Sequence, residues 1–176
     1  SSVVVYGAGA VGLSAVMAAK IVGCQHIIAV DVHADRLALA KELGATHTFN
    51  GKEMDVVEQV KKLTGGGSHY AVETTGAPQV VKQSLNALPL GICAIVGITP
   101  EVNLDIHNDL MAEGKSMIGV IEGDSIPRVF IPQLVAYYKA GQFPFDRLIK
   151  FYEFEQINQA FEDSASGMTI KPVLKI

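Results

Sequence analysis

The chain has 176 residues, 49% of them hydrophobic and 18% charged, enough for one self-sufficient core and too apolar for a disordered chain. Lys and Arg number 14 against 18 Asp and Glu, a net charge of −4, which excludes the electrostatic footprint of a nucleic-acid or anionic-membrane binder. Two cysteines exclude a disulfide framework and cannot complete a four-thiolate zinc site.

The first charged residue is Lys20, so the opening approaches the ~20 uncharged residues of a membrane span. The glycines decide against that reading. Val3-Val4-Val5-Tyr6 is a β-branched and aromatic run, hence a strand. Leu13 to Val22 is helix-tolerant and closed by Gly23. Between them, Gly7-Ala8-Gly9-Ala10-Val11-Gly12 fits G-x-G-x-x-G in its required place, between a strand and a helix. Gly7 permits a tight turn, Gly9 has no Cβ to block a diphosphate, and Gly12 allows close helix–strand packing. The free N–H groups of the helix start then face the phosphates.

His26-Ile27-Ile28-Ala29-Val30-Asp31 is a second strand ending in a carboxylate. Asp31 lies 19 residues after Gly12, where the fingerprint expects an acid ~20 residues on. It can accept from both hydroxyls of an adenosine ribose and would repel a 2′-phosphate, which predicts NAD(H) over NADP(H). The alternative makes Asp31 a cap for the next helix, but Asp35 is better placed for that. Arg36, one turn into that helix, reaches the ribose or a phosphate, or lies on a solvated face.

Ala34 to Leu43 reads as a helix stopped by Gly44. Thr46 to Phe49 is a short strand, and Glu53 to Leu63 a helix with Val56, Val60 and Leu63 on one face. His69 to Glu73 is a fourth strand, followed by a helix opened by Pro78 and running to Leu88. Gly91 to Val96 and Met117 to Ile121 complete six strands. Strands alternating with helices mean crossovers and a parallel sheet, so the expected fold is α/β, a Rossmann-type doubly wound six-stranded sheet in three α/β/α layers. Any ligand then lies outside the carboxyl ends of the strands, where Gly12, Asp31, Gly76, Gly97 and Gly123 converge. After residue 123 the rhythm changes. Pro132 opens a helix to Ala140, Leu148 to Phe154 is extended, Glu155 to Ser166 is helical, and Thr169 to Ile176 is a strand. The expected division is a nucleotide-binding domain over 1–123 and a C-terminal segment over 124–176.

The order of motifs resembles the medium-chain dehydrogenases of the zinc alcohol dehydrogenase type, across the whole chain. The resemblance rests on Tyr6 to Gly12, Val30-Asp31, Leu43 to Thr46, Glu73-Thr74-Thr75-Gly76, Val96-Gly97-Ile98, Ile118-Gly119 and Ile170 to Leu174. Gly123 to Pro127 and Phe143 to Asp146 are most similar to the aryl- or benzyl-alcohol subgroup. The resemblance implies that Gly7, Gly9, Ala10, Val11 and Gly12 meet the pyrophosphate and nicotinamide ribose. Asp31 and Arg36 would hold the adenosine ribose, with Val32 and Thr75 flanking the adenine and Thr74 and Gly76 among the cofactor-binding residues. Val96, Ile98, Val120 and Glu122 would offer backbone groups on the nicotinamide side, with Gly97 and Ile121 among the cofactor-binding residues and Lys171 a basic group near the pyrophosphate.

The same resemblance implies an N-terminal catalytic domain that carries the zinc ligands and precedes this chain. No catalytic or metal-ligating residue is therefore expected here. Cys24 and Cys93 read as small core hydrophobes, and the five histidines show no metal-ligand spacing. The parent is expected in the cytoplasm, oxidising a primary, aryl or allylic alcohol with NAD and zinc, and this chain alone is expected to bind NAD(H) without turnover. Family dimers join through the sheet edge near Asn103 to Ile121, which implies a homo-oligomer. The rival readings are the cofactor domain of a zinc-free quinone or enoyl reductase of the same superfamily, which usually lacks the acid after the second strand, and a dinucleotide-sensing regulatory module.

Overall fold

The computed structural model describes residues 1–176. Six parallel strands form one sheet: β1 (Ser2–Tyr6), β2 (His26–Asp31), β3 (His47–Asn50), β4 (Tyr70–Glu73), β5 (Ile92–Ile95) and β6 (Ser116–Gly119). Their order in space is β3-β2-β1-β4-β5-β6. The order reverses beside β1, the switch point where an open α/β sheet leaves a crevice. Strands β1 and β2 are buried on both faces, as parallel strands are, so they read as unbroken apolar runs.

The period-two alternation sorts these side chains into two cores. Val3, Val5, Ile27 and Ala29 face α1 (Ala10–Ile21) and α2 (Ala34–Leu43). Val4, Tyr6, Ile28 and Val30 face α3 (Val56–Thr64) and α4 (Pro78–Asn86). The result is the expected three layers, helices on both sides of a parallel sheet.

Residues beyond β6 form α5 (Pro127–Lys139), β7 (Ile149–Glu153), α6 (Ile157–Ala165) and β8 (Lys171–Lys175), with β7 and β8 paired in a separate parallel sheet. Phe143 and Leu148 from this segment are buried in the same core as α1 and α2.

Two local expectations are corrected. Helix α5 opens at Pro127 rather than Pro132, which lies inside it. Pro127 suits the first helical position because its missing N–H has no partner there anyway, whereas Pro132 leaves the Arg128 carbonyl without its usual donor. The residue preceding α2 is His33, which makes no side-chain cap, and Asp35 sits within the first turn. The chain is turned into α2 by Asp31 instead.

Candidate functional site: a dinucleotide cleft

The glycine loop leaves β1 at Gly7, where φ is +91°, a left-handed conformation that a side chain disfavours. The three glycines differ in what a Cβ would meet. At Gly12 it would stand 1.7 Å from the Gly7 carbonyl oxygen, so the first turn of α1 packs directly on the loop. At Gly9 it would meet nothing within 4 Å, so it would project into open space above the loop. Gly9 precedes α1, and the first intrahelical bond runs from Leu13 N to the Gly9 carbonyl at 2.9 Å. The N–H groups of Ala10, Val11 and Gly12 therefore lie ahead of the helical ladder. A backbone free of side-chain obstruction, with unspent donors at the positive end of a helix, is an anion cradle.

Asp31 stands beside it. One carboxylate oxygen accepts from Val32 N (2.7 Å) and His33 N (2.9 Å), and the other accepts from Ala8 N (2.7 Å). Three of the roughly four acceptor positions of a carboxylate are thus spent on backbone. Asp31 joins the glycine loop to the turn before α2, a capping-like task.

The carboxyl end of β4 supplies the opposite wall. Thr74 Oγ1 donates to the carbonyls of Tyr6 (2.8 Å) and Gly7 (3.3 Å), so its hydroxyl braces the loop. Glu73 is fully buried, and its carboxylate accepts from Thr75 N (2.7 Å), Gly76 N (3.1 Å) and the Thr75 hydroxyl. A Cβ on Gly97 would lie 2.3 Å from Gly76 N, so the loops after β4 and β5 touch backbone to backbone.

The cleft above this loop has a volume of about 480 Å³. Of the expected residues, Gly7, Gly9, Ala10, Val11, Asp31, Val32, Arg36, Thr74 and Thr75 line it. A second cavity of about 400 Å³ shares Gly7, Asp31, Val32 and Thr75 and adds Tyr6, Val30, Gly51, Lys52, Gln79, Val80 and Gln83. Of these last residues, Tyr6 and Val30 belong to motifs read from the sequence, whereas Gly51, Lys52, Gln79, Val80 and Gln83 carry no expectation from it. Gly51 and Lys52 directly follow β3, so the rule that ligands sit outside strand carboxyl ends could have found them. Glu73 was visible as part of a motif, but its task of fixing Thr75 and Gly76 was not.

The remaining expected residues lie elsewhere. Gly12 is buried beneath the cleft, and Gly76 follows Thr75 in the loop after β4. Val96, Gly97 and Ile98 directly follow β5, and Val120, Ile121 and Glu122 directly follow β6; they line neither cavity. Lys171 opens β8 in the second sheet, is exposed, and lines neither cavity. Arg36, which does line the cleft, donates from Nη2 to the Gly167 carbonyl at 3.3 Å and keeps a buried Nε without a partner. The Tyr6 hydroxyl is likewise buried without a partner, and burial pushes its pKa up.

The family model for zinc-binding dehydrogenases matches residues 10–136. This chain belongs to the zinc-binding dehydrogenase family. It is 40% identical to the geraniol dehydrogenase of Castellaniella defragrans over 98% of the chain. It superposes on an alcohol dehydrogenase zinc-binding domain protein from Burkholderia ambifaria with a TM-score of 0.96 at 53% identity. The benzyl alcohol dehydrogenase of Acinetobacter calcoaceticus gives a TM-score of 0.96 at 51% identity. Both superpositions cover 100% of this chain. The zinc-binding dehydrogenase chain spans only 48% of the geraniol enzyme and 48% and 49% of the two solved structures. No three His, Cys, Asp or Glu side chains converge to form a metal-binding cluster. No helix is long and apolar enough to cross a membrane.

Proposed function

We propose that this chain is the NAD(H)-binding half of a zinc-dependent alcohol dehydrogenase that oxidises a primary, aryl or allylic alcohol to an aldehyde. The observation that carries the reading is the open space above Gly9, bounded by the free N–H groups of α1 and by the Asp31 carboxylate. A diphosphate fits the first, and a ribose diol without a 2′-phosphate suits the second. The similarity to geraniol and benzyl alcohol dehydrogenases supports the alcohol class.

Bound nicotinamide supplies the hydride acceptor. The residues of this chain bind and orient. The start of α1 holds the diphosphate, and Asp31 with Arg36 holds the adenosine ribose. Val32 and Thr75 flank the base, and Thr74 and Glu73 keep the loop and the β4 end rigid. Backbone groups of Val96, Gly97, Ile98, Val120, Ile121 and Glu122 present the nicotinamide, with Lys171 as a basic residue toward the diphosphate. Binding energy gained at the adenosine end is spent on fixing the reactive ring. The donor set for a zinc ion is not found among these residues, so no zinc step is assigned to them. The division into a nucleotide domain over 1–123 and a returning segment over 124–176 belongs to the same proposal, as do a cytoplasmic parent and its catalytic half as partner. Strand β6, at the sheet edge with all four residues exposed, supports pairing with a second copy.

Titration of the 176-residue chain with NADH and NADPH tests the reading. NADH is expected to bind at least about tenfold tighter, ~1.4 kcal/mol. No turnover of benzyl alcohol is expected with or without zinc. Tighter NADPH binding overturns the cofactor assignment, and measurable oxidation by this chain overturns the division of labour.

A further inference from the structure

A parallel sheet is normally covered on both faces, because its strands are apolar on both. Here one face is covered by α3 and α4 over β1, β2, β4 and β5, and the edge strand β6 stays exposed. The other face is covered by α1 and α2 over β1, β2 and β3, and α1 reaches β4 at Val72. Over the start of β4 and over β5 and β6 that second face is open. Ala71 and Cys93, which point to the covered side, are 1% and 0% exposed. Their neighbours in β4 and β5, Tyr70 and Ile92, point the other way and are 46% and 40% exposed, and Ile118 of β6 is 48% exposed.

The open face is the floor of a groove of about 610 Å³, of whose 13 lining residues 12 are hydrophobic. Its wall is the flank of α1 that presents Ala15, Ala18, Ala19 and Val22. That spacing is i, i+3, i+4, i+7, a second apolar ridge beside the buried Leu13, Val16 and Met17. Three alanines in the ridge let a neighbouring helix axis approach closely, and helices of ~10 Å diameter pack at 8–10 Å. The trough has one helical wall and a sheet floor, which is the seat of a missing helix in a three-layer fold.

We propose that the groove seats an amphipathic helix supplied by the other half of the parent polypeptide. The proposal rests on reading this chain as part of a longer dehydrogenase, and the lengths of the relatives support it, since each carries about as much polypeptide again. A second copy of the chain is the poorer occupant. It offers the same trough, and two concave surfaces leave each other unfilled.

Cys24 lines the groove and is a free, partly exposed thiol, whereas Cys93 is buried. Both are read by iodoacetamide labelling of the full-length parent, followed by peptide mass analysis. Cys24 is expected to stay unlabelled in the native parent and to label at least about tenfold faster in the 176-residue chain. Equal, fast labelling in both overturns the proposal. So does protection in the 176-residue chain that grows with its concentration, because a second copy then fills the groove. Ala18→Arg gives an independent readout at an exposed position. It is expected to leave the melting temperature of the chain unchanged and to lower that of the parent; unchanged melting of both overturns the proposal. NADH titration of the same samples separates the two readings, because failure to bind cofactor strikes the proposed function and leaves the labelling result standing.

Discussion

Asp31 accepts a 2.7 Å hydrogen bond from the N–H of Ala8, so the acid at the end of β2 also holds the glycine loop at the end of β1. Its other oxygen serves Val32 N and His33 N. Removing the carboxylate therefore acts twice. Asp31→Ala is expected to destabilise the fold by about 1–3 kcal/mol, the cost of leaving a partly buried backbone donor without a partner. It is also expected to lower NADH affinity by at least about tenfold and to bring the NADH and NADPH constants together. Asp31→Asn keeps one carbonyl oxygen for three N–H groups and should fall between. Thermal melts with cofactor titrations check both effects. A variant that keeps its preference for NADH would remove Asp31 from the selectivity argument.

The glycine loop separates folding from binding at two positions three residues apart. A methyl on Gly12 would collide with the Gly7 carbonyl at 1.7 Å. Gly12→Ala is expected to cost about 3 kcal/mol or more, beyond ordinary overpacking. For a chain of this size that lowers the melting temperature by roughly 6–12 °C. Gly9→Ala meets only open space, and its backbone, φ −79° and ψ −169°, suits any residue. It should melt within about 2 °C of the wild type and lose about tenfold or more in NADH affinity. If both variants lose only stability, the loop is a packing device and the phosphate assignment fails.

The difference between those glycines was legible in the sequence as a pattern but not as a distance. G-x-G-x-x-G between a β-branched run and a helix-tolerant run fixes which elements meet, because no other local arrangement satisfies both periods. The parallel, layered α/β class followed from the alternation of strands and helices, whereas the spatial order of the strands is set by the fold. What the pattern could not carry was side-chain direction at polar positions. Thr74 was assigned to the cofactor by its place in a motif, yet its hydroxyl turns back to the Tyr6 and Gly7 carbonyls. Asp35 had the composition of a cap, but Asp31 reached the His33 N–H from the preceding strand end. Gly51 and Lys52 belong to no residue motif; their one signal is their place just after β3, and the sheet brings that end beside the end of β2. Pro132 read as a helix start because a proline inside a helix is costly, and the cost is accepted where Pro127 already opens the turn.

Glu122 and Asp124 hold left-handed backbone, φ +50° and +51°, around Gly123 at +62°. A side chain in that region costs about 1–2 kcal/mol, offset by the roughly 0.5–1 kcal/mol that glycine loses in chain entropy. Glu122→Gly is therefore expected to stabilise by about 0.5–1 kcal/mol, raising the melting temperature by ~1–4 °C. The proposed cofactor role of Glu122 uses only its backbone. NADH affinity should then stay within about twofold, ~0.4 kcal/mol. A large loss of affinity with the stability gain intact would show that the carboxylate itself takes part.

The C-terminal segment carries its own pH dependence. Asp163 of α6 is 4% exposed and accepts from the Tyr152 hydroxyl (2.6 Å), Gln159 Nε2 (2.7 Å) and Lys150 Nζ (3.0 Å). These bonds, Tyr152 first, lower its pKa from the ordinary 3.8 to about 2. The depressed value belongs to the folded state, so the unfolded chain takes up the proton first as pH falls. The stabilisation is then fully present above about pH 4 and is lost between about 4 and 2. Tyr152 also bonds the Thr169 hydroxyl at 2.7 Å, which ties β7 and α6 to the lead-in of β8. Asp163→Asn is expected to melt lower than the wild type at pH 7 and to show a flatter fall below pH 4, so that the two curves converge near pH 2. Melting temperatures from pH 2 to 7 check this, and parallel curves for the two proteins would mean that the acid limb of stability comes from other carboxylates.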